Sequence, residues 1–218
     1  MKKTISIITF MTAMIATTKA VDMQQLVQDT QRFTHDAKVT KMAWWIPSEF
    51  WEVTLGQDPS LTAEKKKEII AALDDYTVFV VSHSTIGVFG GMTNAPRKEI
   101  EKNISLVVDG NELLPLRNDE MSSDASSFYA MMKPMMAQML GQFGQGMEFF
   151  VYRNERKGQL IIDPKKEGSF YFECFGEQYD WRLPLGSLLP PKFDLETGET
   201  FPGNYKFNPY TGAELSVK

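Results

Sequence analysis

Five methionines fall within nine residues: Met131, Met132, Met135, Met136 and Met139. Met131, Met135 and Met139 are spaced by four, so on a helix their thioethers share one face. Soft thioethers suit Cu(I), which an exported protein can meet. The same side chains also fill irregular cores and build adaptable binding surfaces for a partner or a lipid. No second cluster of His, Met or Cys lies nearby in sequence to complete a copper site. Trp44, Trp45 and Trp51 place three of the chain's four tryptophans in eight residues. They read either as an aromatic platform for a sugar or peptide, or as core, because each ring buries a large area. Trp181 reads as core.

Nucleophile chemistry has thin support. Ser82, His83 and Ser84 set an imidazole between two hydroxyls, but strand neighbours point to opposite faces. Cys174 is the single cysteine, in the alternating run 170–175. It reads as a buried small hydrophobe or as a reactive thiol, and no basic residue close in sequence lowers its pKa. The chain contains no G-x-S-x-G, H-E-x-x-H, P-loop or C-x-x-C pattern. The glycines at 141, 144 and 146 lack the strand before and helix after that a phosphate loop needs.

The C-terminal segment repeats itself. Asp194 and Thr197 precede Gly198; Asn208 and Thr211 precede Gly212. This tail, about 192–215, resembles a small zinc ribbon, in which two C-x2-C knuckles, each followed by glycine, hold one tetrahedral zinc. Asp194, Thr197, Asn208 and Thr211 stand where the four thiolates would be. Thr and Asn are poor zinc ligands and only Asp194 carries charge, so the resemblance implies a knuckle-shaped tail without its metal. Ca2+ held by Asp194, Glu196 and backbone oxygens is the hard-ion alternative.

The chain has 218 residues, 23 bases and 28 acids. A single cysteine excludes internal disulfides and multi-thiolate sites, two histidines exclude a three-histidine metal centre, and the acidic balance argues against nucleic acid. Residues 1–20 carry Lys2 and Lys3, an apolar run over 5–16 and small residues at Thr18 and Ala20, the design of a bacterial secretory signal cleaved after Ala20. Those residues hold three lysines and no acid, so the form beginning at Val21 has 20 bases against 28 acids, a net charge of −8. The expectation is a periplasmic or secreted protein with no stable membrane span after cleavage.

The elements that must position these residues follow from periodicity. Residues 22–38 have helical spacing, and Pro47 opens a helix to about Leu55, although the alternation over 51–55 also fits a strand. Thr62 caps a third helix over 62–73. Residues 76–81 form a central strand, continued by a second piece over 86–91 whose glycines can turn or bulge. Asp109 and Gly110 turn a hairpin between 104–108 and 113–116. Residues 117–127 read as a polar loop and 128–140 as a helix kinked or restarted at Pro134. Strands follow at 147–153 and, after a turn, 160–162; a further pair at 170–175 and 179–183 joins near Gly176. Residues 184–191 read as an extended linker to the tail.

The expected fold is α+β, with N-terminal helices packed on a mainly antiparallel β-sheet, over one domain at 21–190 and a knuckle-like tail at 191–218. The expected role is a non-enzymatic binding or interaction module for an unknown protein or small apolar ligand. Its candidate contacts are Trp44, Trp45, Trp51, Met131, Met132, Met135, Met136 and Met139. The alternatives are a hydrolase using acid/base carboxylates and a periplasmic copper-handling protein using the Met helix. No catalytic residue, metal ligand or cofactor is assigned.

Overall fold

The computed structural model describes residues 21–36 and 38–217. The expected signal peptide at 1–20 lies outside the described residues. Asp22 caps α1 (Met23–Thr30) by accepting from the Gln24 and Gln25 amides. The helix is shorter than its spacing predicts. Thr30 Oγ1 donates back to Leu26 O, and the chain then extends as β1 (Gln31–His35), paired with β2 (Val39–Ile46) from Gln31↔Trp44 to His35↔Thr40. Phe33, inside the segment with helical spacing, belongs to this strand; backbone pairing with β2 overrides the local spacing.

Pro47 opens α2 (Ser48–Gly56) and Thr62 caps α3 (Ala63–Leu73) through the Lys65 amide, both as the sequence predicts. The central strand β3 (Tyr76–Ile86) runs straight through the expected break, so its glycines form the turn to β4 (Met92–Asn94) rather than a strand of their own. The short α4 (Arg97–Glu101) leads to β5 (Ile104–Val108) and β6 (Asn111–Leu113). Asp109 and Gly110 take φ of 50° and 75°, the positive pair a tight hairpin requires.

Residues 117–127 are not a loop. A 3₁₀ turn at Asn118–Glu120 precedes α5 (Ser123–Gln145), capped by Ser122 Oγ, which accepts from the Ala125 amide. Its Ser- and Asp-rich first turn is cap chemistry that mimics a loop in composition. The helical dihedrals break at Gly141 (φ 59°, ψ −134°) and not at Pro134. Pro134 is exposed, where water can take the carbonyl its missing N–H leaves free. Beyond Gly141 the chain returns so closely that a Cβ on Gly144 would meet Met136 O at 2.1 Å.

Strand β7 (Glu148–Arg153) pairs with β3 rather than with a returning neighbour. The turn after it is a separate ribbon of β8 (Glu155–Arg156) and β9 (Gln159–Leu160). The expected pair is β10 (Gly168–Cys174) with β11 (Glu177–Leu183). Residues 184–191 are more than a linker, since Leu185 is buried and Gly186–Leu188 form a 3₁₀ turn. The tail holds β12 (Lys192–Phe193), β13 (Thr200–Phe201) and β14 (Ser216–Val217).

These elements build an α+β fold in three layers. The first sheet runs β1-β2-β3-β4, with β7 on the same edge of β3 as β4; the second runs β11-β10-β5-β6, and the strands of both pair antiparallel with their neighbours. Alternate residues of the first sheet face the second. Phe79 stacks on Phe172 with centroids 4.4 Å apart, Phe170 stacks on Trp181 at 5.2 Å, and Trp45 meets Phe170 edge-on at 4.8 Å. The other face of the first sheet carries Met42, Ile46, Val78, Val80, Phe149 and Val151 beneath Trp51 of α2, Leu73 of α3 and Tyr129 and Met132 of α5.

Phe172 is fully buried at the join of the two sheets. Phe172→Ala should lower unfolding free energy by about 3–5 kcal/mol in chemical denaturation, through lost burial and the cavity left beside Phe79.

Candidate functional site

The tryptophans do not assemble a platform. Trp44 and Trp45 are neighbours on β2 and point to opposite faces of the sheet. Trp45 is buried between the sheets, where its indole donates to Thr77 Oγ1 at 2.7 Å. Trp51 is buried on the helix side, edge-on to Phe50 and Phe128. Trp44 is half-buried there, donating to Thr30 Oγ1. Dense aromatics in one stretch thus fill two cores rather than one surface, because a strand and then a helix carry them to different layers.

The methionines separate by face. Met132 is buried and Met136 half-buried against the first sheet. Met131, Met135 and Met139 face solvent, with 60%, 41% and 71% of their surface exposed, and Leu140 beside them is also exposed. At 1.5 Å per residue the three thioethers span about 12 Å along α5. No Asp, Glu, Lys or Arg occurs in residues 134–147. The helix ends in a hook whose Phe143 lies 6.5 Å from the exposed Phe33 of β1. This gives a charge-free apolar surface at one end of α5.

Titratable groups elsewhere are held in structural roles. Glu148 is buried between Lys133 and Arg97, whose Nη1 also donates to Phe149 O at 2.8 Å. Glu49 is buried and paired with Lys165 at 3.0 Å. The nearby Asp74 carboxyl is held above its ordinary value, by burial first and by Glu49 second. This close carboxylate pair lines neither of two surface clefts, one between α3 and α5 and one in the tail. His83 lies flat on Phe175 at 3.9 Å, and burial together with Lys41 pushes it below the usual imidazole value. Ser84 Oγ donates to Asn94 Oδ1, on the opposite face from His83. Cys174 is fully buried, and burial pushes its thiol up to about 12. Among the described residues, no group of three or more His, Cys, Asp or Glu is placed to hold a metal ion.

In the tail the two halves match bond by bond. Asp194 Oδ1 accepts from the Glu196 and Thr197 amides, and Asn208 Oδ1 accepts from the Tyr210 and Thr211 amides. Gly198 N–H donates to Asp194 O and Gly212 N–H to Asn208 O, with the glycines at φ of 74° and 78°. Asp194 N–H donates to Glu199 O and Asn208 N–H to Ala213 O. Asn208 Nδ2 then donates to Asp194 Oδ2 at 2.6 Å, joining the two turns. Asp194 is covered by its own loop rather than sunk in the body. That bond, with the two loop amides, holds its carboxyl below the ordinary range.

The fold and these sites define the class: a three-layer α+β protein with two antiparallel sheets, a helical layer and a hydrogen-bonded tail. No known family model, curated protein or solved structure matches the chain.

Two outcomes follow. Cys174 should resist an aromatic disulfide reagent at about pH 8 in the native protein and react fully once unfolded, because the thiolate is suppressed and covered. The folded-state pKa of Asp194 is lowered, so its contribution is complete above the ordinary carboxylate value and is lost as pH falls through the lowered one. Acid should therefore lower the exchange protection (relative to the intrinsic rate at each pH) of the Thr197, Tyr210 and Thr211 amides before the sheets open, and Asp194→Asn should remove most of that pH dependence.

Proposed function

We propose that this chain is an exported, non-enzymatic binding protein whose contact surface is the solvent face of α5. The observation that carries the reading is the exposure of Met131, Met135 and Met139 on one face, continued by Leu140 in a charge-free segment. Exposed large apolar side chains scattered singly are ordinary; a contiguous group on one helix face is a mark of an interaction site. Methionine suits such a surface, since its flexible thioether chain repacks against different shapes. Trp45 and Trp51 belong to the framework in this reading and not to the contact. No helix among the described residues is long and apolar enough to cross a membrane.

The tail enters the proposal as a metal-free ribbon. The paired turns at Asp194 and Asn208 carry the amide bonds that thiolates accept in a knuckle, and the Asn208–Asp194 bond occupies the position between them. Its role is to fasten residues 192–217 without thiolates, which oxidising surroundings would endanger.

The test uses an anilinonaphthalene sulfonate dye as the apolar probe. The native protein should enhance its fluorescence, and the triple variant M131S/M135S/M139S should lose about half or more of that signal with an unchanged thermal midpoint. M131L/M135L/M139L keeps the apolar area while removing sulfur and should retain the signal, with Cu(I) affinity equal to wild type. Unchanged dye binding in the serine variant would sink the proposal. Weaker Cu(I) binding in the leucine variant would favour copper handling instead.

A further inference from the structure

The turn between β3 and β4 carries the most exposed apolar side chains in the described chain. Val88 is 92% exposed and Phe89 102%, as open as in an isolated peptide. The tip is nonetheless ordered. Gly87 N–H donates to Gly91 O at 2.8 Å and Gly90 N–H to Gly87 O at 2.9 Å, with Gly90 at φ 81°, a conformation a side chain would strain. Its stem is held on both sides. The Ile86 amide donates to Lys38 O in the turn before β2, and Ser84 and Asn94 bond across the hairpin. Asn94 Nδ2 donates to Gln142 O in the α5 hook, and Gly146 approaches so closely that a Cβ there would lie 2.5 Å from the Asn94 side chain.

The chemistry around the tip is one-sided. Residues 84–96 contain no Asp, Glu, Lys or Arg, and they meet the equally charge-free 134–147 through the Asn94–Gln142 bond. In a chain with 51 such charged residues, two uncharged segments converge at one end of the first sheet. Val88 and Phe89 are the two central residues of the turn that the Gly90 N–H to Gly87 O bond closes, so both side chains stand at the tip, past the end of β3 at Ile86.

We propose that the β3–β4 hairpin inserts Val88 and Phe89 into the interface of an electrically neutral lipid bilayer. A protein partner would need a pocket fitted to a convex tip and would take its orientation from charged or polar groups at the rim. Residues 87–91 carry no polar or charged side chain for that purpose, and a bilayer requires none at the inserted tip. Thr93 and Asn94 on the stem meet the polar headgroup level. The chain's net negative charge sets the lipid preference, because anionic headgroups repel it. This is attachment by a tip, not a span, and it uses residues separate from the α5 face.

The test is co-sedimentation of the form beginning at Val21, which keeps every described element, with phosphatidylcholine vesicles. Wild type should bind, and V88D/F89D should bind about tenfold or more weakly, because both side chains would have to leave water charged. Its thermal midpoint should match wild type, since the two side chains are exposed. V88L/F89L should retain binding, and phosphatidylglycerol vesicles at low salt should bind no more tightly than phosphatidylcholine. Failure of wild type to sediment with phosphatidylcholine overturns the proposal, as does equal binding by V88D/F89D, or wild-type self-association that V88D/F89D abolishes without vesicle binding. If M131S/M135S/M139S loses vesicle binding while V88D/F89D keeps it, the lipid contact belongs to α5 and the hairpin proposal alone fails.

Discussion

The stack of Phe79 on Phe172 is the contact on which the rest of the molecule depends. Phe79 sits on β3, the strand that pairs with β2 along one edge and with β7 and β4 along the other. Its ring also meets Tyr152 of the neighbouring β7 and Phe170 and Trp181 across the layer, so one side chain ties the first sheet to both β10 and β11 of the second. Strand alternation then sends Val78 and Val80 to the helical side. A strand buried on both faces reads as a continuous apolar run, which is how 76–81 stands in the sequence.

That arrangement decides where contact with other molecules is available. The first sheet spends both faces on packing, so Trp45 and Trp51 are consumed by the framework. Exposed apolar side chains lie on elements that outrun the sheet, among them α5 with its hook and the hairpin tip. The hook and the tip are free of charge, and a hydrogen bond from Asn94 to Gln142 holds them together. The rigid centre is what allows the tip to keep two apolar side chains in water. A hairpin with a loose stem would fold Val88 and Phe89 back over the nearest apolar surface; here the Ile86 amide and the Ser84–Asn94 bond hold the stem extended.

Much of the fold was legible because local chemistry and tertiary context agree. Thr62 caps α3, Asp109 and Gly110 turn their hairpin, and the alternation of 170–175 returns as β10. The misreadings fall where local chemistry points two ways. Gln31 to His35 fit a helical face as well as a strand, and only pairing with β2 decides. Ser122 and Asp124 look like loop residues because capping and looping use the same side chains. The methionine spacing identifies a shared face but cannot say which face, and a shift of one residue separates exposed Met131 from buried Met132. From periodicity alone the hairpin tip looks like a strand piece with glycines. Its signal, two large apolar residues between glycines in a charge-free run, was present in the sequence but gains meaning only once β3 is seen to continue to Ile86.

The tail shows a different limit on what residue types reveal. Asp194, Thr197, Asn208 and Thr211 stand at matching positions of two similar turns, and their types alone do not say how the turns are joined. The link seen is the Asn208 amide donating to the Asp194 carboxylate while each residue's Oδ1 caps its own turn. Asp and Asn suit this because each has two polar atoms on a short side chain, one to accept amides locally and one to reach across. A threonine hydroxyl has only one oxygen, and Thr197 and Thr211 accordingly serve their own turns, accepting from the Glu199 and Ala213 amides. The unequal choice of Asp on one side and Asn on the other follows from donor and acceptor counting: two carboxylates would repel, and two amides would lose the charge that strengthens the bond.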